Sequence, residues 1–351
     1  MIGSYPLPRR LNTQNQPLRR CAAALAILAL AGCSSKPDDA PPPTIVPAQA
    51  AESPPATGRP PGVVRPLPQP GSAARVDPAS GSLVTLSTGP GVQSLITVFP
   101  PDGDARTVSL PTPATAMTGD DEGRLYLSTR GGYYRVDVAD GTVTMVGVDG
   151  SPGTDFTAIA RRADGRLVLG TADGAVLTLG SETEVTAELD VFARVDQIVT
   201  QGNTAVVLDR GQTSVTTVSE DGTEDDQALR AGLGAATMVA DPAGRVLVAD
   251  TRGDGLLVFA TEPLILRQSY PVPGAPYGLA GSATLVWVSQ TADNSVIGYD
   301  LATGIPVEKV RYRTVQQPNS LAYDESSGTL YVVSGSGAGV QVISDAPGGG
   351  A

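Results

Sequence analysis

The chain contains no histidine in its 351 residues. That removes imidazole acid–base chemistry, and with it every Ser-His-Asp or Cys-His arrangement. Zinc sites built on histidine go too. Cysteine is nearly as scarce, with only Cys21 and Cys33. Lysine is reduced to Lys36 and Lys309, so the 24 basic residues are almost all arginine, against 36 acidic ones. The net charge of −12 argues against nucleic acid as a partner, because that binding needs clustered positive charge to displace counterions. A membrane-spanning run is also missing. The apolar stretch from Cys21 to Ala31 is eleven residues long, and a helix crossing a bilayer needs about 20.

That short run has a different meaning. Arg9, Arg10, Arg19 and Arg20 precede it, and Leu30-Ala31-Gly32-Cys33 closes it. A positive flank, a short apolar segment and small residues before a cut describe a secretory signal. The last four residues resemble a bacterial lipobox, which implies cleavage before Cys33 and acylation of its thiol. An uncleaved anchor, or a signal cut elsewhere, is the alternative. The Arg19-Arg20 pair lacks the rest of a twin-arginine motif, so general secretion is favoured. With Cys21 discarded and Cys33 lipidated, the mature chain has no disulfide, although its compartment would permit one. Losing four arginines leaves 20 basic against 36 acidic residues, a net −16. Lipid rather than charge must then hold the protein at the membrane. The expected location is the extracytoplasmic face of the cell membrane.

Between Pro37 and Pro70 there are 12 prolines in 34 residues. Such a segment cannot bury a core and is expected to be a disordered, partly polyproline-like tether. It is read as a spacer, with a proline-rich ligand for a partner domain as the sharper alternative. The expected boundaries are a signal at 1–32, an anchor and linker at 33–61, a folded domain at 62–345 and a flexible tail at 346–351.

From about Ser72 a phrase repeats: an apolar pair, a turn rich in Asp and Gly, then an apolar strand. Its second-strand anchors are Leu83, Leu125, Leu167, Ala205, Val246, Leu285 and Leu330, spaced 42, 42, 38, 41, 39 and 45 apart. A period near 40 built from short β-branched strands predicts propeller blades. The sixth unit reads as four strands, 277–280, 285–289, 295–300 and 307–313. The seventh supplies only three, 320–323, 330–334 and 340–343. The fourth is expected from Gly62-Val63-Val64-Arg65-Pro66-Leu67, which would clasp the ends together and remove an open sheet edge. The fold class is therefore all-β, a seven-bladed β-propeller closed by an N-terminal strand. Six or eight blades is the structural alternative. Amphipathic helix periodicity is lacking.

Asp293-Asn-Ser-Val-Ile-Gly-Tyr-Asp-Leu-Ala-Thr-Gly304 resembles the repeat of YVTN/NHL-like propellers. Residues 154–343 are similar to LppL-like mycobacterial lipoproteins. Matching stretches include Thr154-Asp-Phe-Thr-Ala-Ile-Ala-Arg-Arg162, Val207-Leu-Asp-Arg-Gly-Gln-Thr-Ser-Val-Thr-Thr217 and the run from Ala275 to Ile343. The resemblance implies a lipid-anchored propeller at a mycobacterial envelope and carries no catalytic residues. Streptogramin-lyase propellers also resemble this architecture, but they use histidine.

The place to look for function is the channel mouth. Aligning the innermost strands puts Ser72, Thr115, Thr157, Asp196, Ala236, Tyr277 and Asn319 in one ring, one per blade. Thr115, Thr157, Asp196, Tyr277 and Asn319 are the candidate ligand-binding residues. Carboxylate chemistry or oxygen-ligand calcium binding survives the lack of histidine, with Asp155, Asp196 and Asn319 as candidate ligands. A gluconolactonase-like site would also present a glutamate, and none fits; calcium takes six to eight oxygens, and two or three can be placed at this mouth. The plainer alternative is a water-filled polar mouth. Arg252-Gly253-Asp254 spells an adhesion tripeptide but sits where a hairpin needs Gly and Asp. Trp287, the only tryptophan, reads as blade packing. The acidic run Glu220–Asp226 lacks calcium-loop spacing and reads as a solvated turn.

Two functions remain in view. One is a binding or scaffold module for an envelope protein or small ligand, without a cofactor. The other is a calcium-dependent hydrolase or lactonase at the channel mouth.

Overall fold

The computed structural model describes residues 43–89 and 92–349. The expected signal at 1–32, Cys33 and residues 34–42 of the expected linker lie outside the described residues.

Seven four-stranded antiparallel sheets follow one another along the chain. Blades 1 to 6 occupy residues 73–109, 114–147, 156–190, 197–230, 235–271 and 276–313. Blade 7 takes three strands from residues 318–343 and its outermost strand from Val63–Arg65. The closing register is Val63 with Val342, Val64 with Gln341 and Arg65 with Val340. Innermost strands touch their neighbours all the way round, and that of blade 7 meets that of blade 1. Six of the seven repeat anchors lie in second strands, and Leu285 immediately precedes that of blade 6, Val286–Gln290.

The second strands are apolar on both faces because each is sandwiched. Successive side chains of a strand point to opposite faces. In blade 4, Ala205 and Val207 join the cluster shared with blade 3, while Val206 and Leu208 join the one shared with blade 5. In blade 5, Val246 and Val248 face blade 4, and Leu247 and Ala249 face blade 6. The core is thus divided into buried clusters, each lying between two adjacent blades, including blade 7 against blade 1. Trp287, 0% exposed, lies between blades 6 and 7, its ring stacked 6.4 Å from that of Tyr312 and 6.0 Å from that of Tyr323.

The recurring Asp-Gly turns join first strands to second strands. Asp120 accepts the backbone N–H groups of Glu122 (2.9 Å) and Arg124 (3.0 Å). Asp241 does the same for Ala243 (3.1 Å) and Arg245 (3.0 Å). One carboxylate satisfies two turn donors, which is why the phrase repeats.

Two terminal segments differ from expectation. Ala346–Gly348 form a 3-10 turn with Ala346 fully buried, so the tail does not begin at 346. The Tyr312 hydroxyl donates to the Ala346 carbonyl at 2.5 Å. Residues 43–61 have no regular secondary structure, as a proline-rich segment should, yet 45–54 are held against the disc. Among the described residues no helix is long and apolar enough to cross a membrane.

Candidate functional site

In a four-stranded antiparallel meander, the start of strand one, the turn between strands two and three and the end of strand four share one edge. The channel mouth at the start of the innermost strands therefore lies on the face that carries the second turns and the blade-to-blade connectors. Five of the expected ring positions coincide with register shifts at the start of innermost strands. Thr115 falls in the shift between 114 and 117, Thr157 between 156 and 158, and Ala236 between 235 and 237. Tyr277 lies between 276 and 279, and Asn319 between 318 and 320. A bulge of this kind re-aims a side chain out of the ladder. Ser72 and Asp196 instead directly precede their strands, Ala73–Asp77 and Gln197–Gln201.

The hydroxyls at the mouth bridge blades. Thr115 Oγ1 donates to the Phe156 carbonyl of blade 3 at 2.7 Å, and Thr157 Oγ1 to the Val195 carbonyl at 2.5 Å. Thr237 Oγ1 bonds the Tyr277 carbonyl, and Ser320 Oγ the Ser72 carbonyl at 3.1 Å. Ser289 Oγ reaches the Pro318 carbonyl at 2.6 Å, and Thr251 Oγ1 the Pro276 carbonyl at 2.6 Å. The carbonyls of Phe156, Pro276, Tyr277 and Pro318, at the bulges, thus find donors on the neighbouring blade, as buried polar groups must.

Asp196 is the carboxylate of the ring, and its side chain is 5% exposed. Arg194 Nε donates to Oδ1 at 2.7 Å and the Arg210 backbone N–H to Oδ2 at 2.8 Å. Burial pushes the carboxyl above its ordinary value, against the Arg210 N–H and the charges of Arg194 and Arg210. Both oxygens are engaged. Asn319 accepts a bond from Gln317 Nε2 at 2.9 Å. Asp155 faces Arg130 of blade 2, with 3.7 Å between Oδ1 and Nε. The three candidate metal ligands are each turned to a different partner. Among the described residues no group of three or more Asp, Glu, His or Cys side chains is gathered for a metal. Tyr277 and Asn319 are half-buried, Ala236 is buried, and Ser72 and Thr115 are exposed.

The feature that composition hid is the strap. Residues 45–54 cross the connector face of blades 4 to 7. The Ile45 N–H donates to the Gly211 carbonyl at 2.7 Å. The Arg252 guanidinium bonds the Val46 carbonyl at 2.7 Å, and that of Arg210 bonds the Ala48 carbonyl. Over blade 6, Thr291 Oγ1 accepts the Ala51 N–H at 3.1 Å. At blade 7, the Gln317 amide donates to Ala51 O at 2.8 Å and accepts from Ser53 N–H at 3.0 Å. Arg210 and Gln317 each contact the ring as well, at Asp196 and Asn319, so strap and mouth share residues. Arg252 of the adhesion-like tripeptide is spent on the strap, and Gly253 lies in the turn that Asp250 caps at 3.1 Å. The acidic run is a turn: Asp221 accepts from Ser219 Oγ at 2.6 Å and the Thr223 N–H at 3.1 Å.

No protein-family model matches the chain, and no curated protein sequence matches it significantly. Solved structures do. A streptogramin B lyase aligns with a TM-score of 0.64 at 11% identity, covering 81% of this chain and 96% of the other. Virginiamycin B lyase from Staphylococcus aureus aligns with a TM-score of 0.63 at 13% identity, covering 78% and 94%. A chain of the mitotic checkpoint complex aligns with a TM-score of 0.68 at 11% identity, covering 85% and 98%. These likenesses establish the propeller fold, which is shared by a lyase and a member of a protein assembly and therefore does not choose between those roles.

Proposed function

We propose that this chain is a non-catalytic binding module that presents its disc at the cell envelope, attached to the membrane through an acylated Cys33. Its ligand is an envelope protein or a small envelope molecule. The observation that carries the reading is the state of the channel mouth. The Thr115 and Thr157 hydroxyls tie blades together, and both oxygens of Asp196 are engaged by Arg194 and Arg210. A hydrolase using Asp155, Asp196 and Asn319 would first have to break those pairings. The lipobox-like Leu30-Ala31-Gly32-Cys33 supports the envelope setting.

The test is crosslinking in the native envelope from a photoreactive residue at Tyr277. A discrete partner or ligand is expected; recovery of abundant bystanders alone counts against the reading. Metabolic labelling with an alkyne fatty acid checks the anchor, and the label should vanish in Cys33→Ser. A stoichiometric divalent cation lost in Asp196→Ala would favour the calcium-dependent hydrolase instead.

A further inference from the structure

The disc holds residues 45–54 through their main chain. Carbonyl oxygens of Val46, Ala48, Ala51, Ser53 and Pro54 accept from Arg252, Arg210, Gln317, Gln316 (3.3 Å) and Asn294 (2.7 Å) respectively. The N–H groups of Ile45, Ala51 and Ser53 donate to Gly211 O, Thr291 Oγ1 and Gln317 Oε1. Two side chains are buried: Ala48 at 5% exposure and Ser53 at 4%. Ser53 Oγ donates to the Thr291 carbonyl at 2.5 Å. Ala48 faces Gly234, where an added Cβ would come within 3.1 Å of the alanine methyl. Thr44, Ile45, Val46, Gln49, Glu52 and Pro54 are exposed.

Main-chain hydrogen bonds for affinity, with a few small pockets for selectivity, are how peptide-binding domains hold an extended ligand. In this chain the ligand is joined to its receptor by residues 55–62. We propose that the connector face over blades 4–7 is a binding site for an extended peptide with small residues five positions apart. Residues 45–54 are its resident occupant, and a partner's segment takes their place when the strap lifts. This rests on the binding-module reading and supplies its ligand class. A short tether keeps the resident segment at an effective concentration in the millimolar range. The apparent affinity for an outside peptide is lowered by the small fraction of open sites.

The experiment uses the full-length protein and a fluorescein-labelled peptide of residues 43–56. Ala48→Arg with Ser53→Arg evicts the resident strap, and amide hydrogen exchange at Ala51 and at position 53 reports the eviction. Fluorescence anisotropy should show the peptide binding this variant at least tenfold more tightly than the unaltered chain. Adding Arg252→Ala and Gln317→Ala should abolish that gain. An evicted variant that leaves the peptide unbound overturns the proposal. So does continued amide protection in the double-arginine variant, because the pockets would then not require small residues. A partner crosslinked in the envelope with equal yield after Arg252→Ala and Gln317→Ala would remove this site while leaving the binding-module reading in place.

Discussion

Val63 pairs with Val342 at the outer edge of blade 7, so the last sheet is completed by residues that precede the first. Gly62 makes that approach possible. Its φ is +78°, and a Cβ there would collide with the Val342 carbonyl oxygen. Gly62→Val combines a left-handed backbone penalty with that clash and should cost about 2 kcal/mol or more. The measurement is the urea unfolding midpoint, which should fall while the slope stays constant. An unchanged midpoint would mean that the closing strand contributes little to stability.

Trp287 is a second point of leverage. Replacing it with Ala opens a cavity between blades 6 and 7 and should cost about 3–5 kcal/mol. Because it is the only tryptophan, the native fluorescence should be blue-shifted and move red on unfolding. Native emission at the wavelength of free tryptophan would contradict its burial.

The closure and the blade count were legible in the sequence because each repeat must bury both faces of its second strand. That requirement writes an apolar run every forty or so residues. The strap was not legible for the opposite reason. Its contacts are to carbonyls and N–H groups, so Ala48 and Ser53 carry no apolar periodicity, and its prolines read as a free spacer. Thr115 and Thr157 were visible as polar positions at the mouth. Their bond partners depend on bulges that nothing local announces.

Those hydroxyls lead to a third prediction. Thr157→Val keeps shape but leaves the Val195 carbonyl without its 2.5 Å donor. The expected cost is about 1–3 kcal/mol. Differential scanning calorimetry should show a lowered Tm; an unchanged Tm would show that water replaces the donor without penalty.

The fourth prediction concerns pH. Bonds from Ser219 and Thr223 hold the Asp221 carboxyl down at about 2, and those from Thr142 and the Ala302 backbone lower Asp140 and Asp300. A depressed carboxyl stabilises the fold above its unfolded value and loses that contribution as pH falls through its folded value. Stability should therefore decline below about pH 4. Asp196 has the opposite sign, because burial raises it. Its contribution is complete below the unfolded value and lost as pH rises through the folded one. Asp196→Asn should thus gain stability relative to the unaltered chain as pH rises through and above the ordinary carboxylate range. Parallel denaturant titrations across that range check it, and a constant difference between the two proteins would refute it.

The strap also has a mechanical consequence. Any pull on the N-terminal arm reaches Ile45 before it reaches Val63. Along the way it must break the bonds to Gly211, Arg252, Thr291, Gln317 and Asn294, spread over four blades. The three-residue closing strand, which would peel one bond at a time if loaded directly, is shielded from that tension. The arm is clamped as a cable is clamped ahead of its connector, so tension applied to it is met by the strap before it can open the ring.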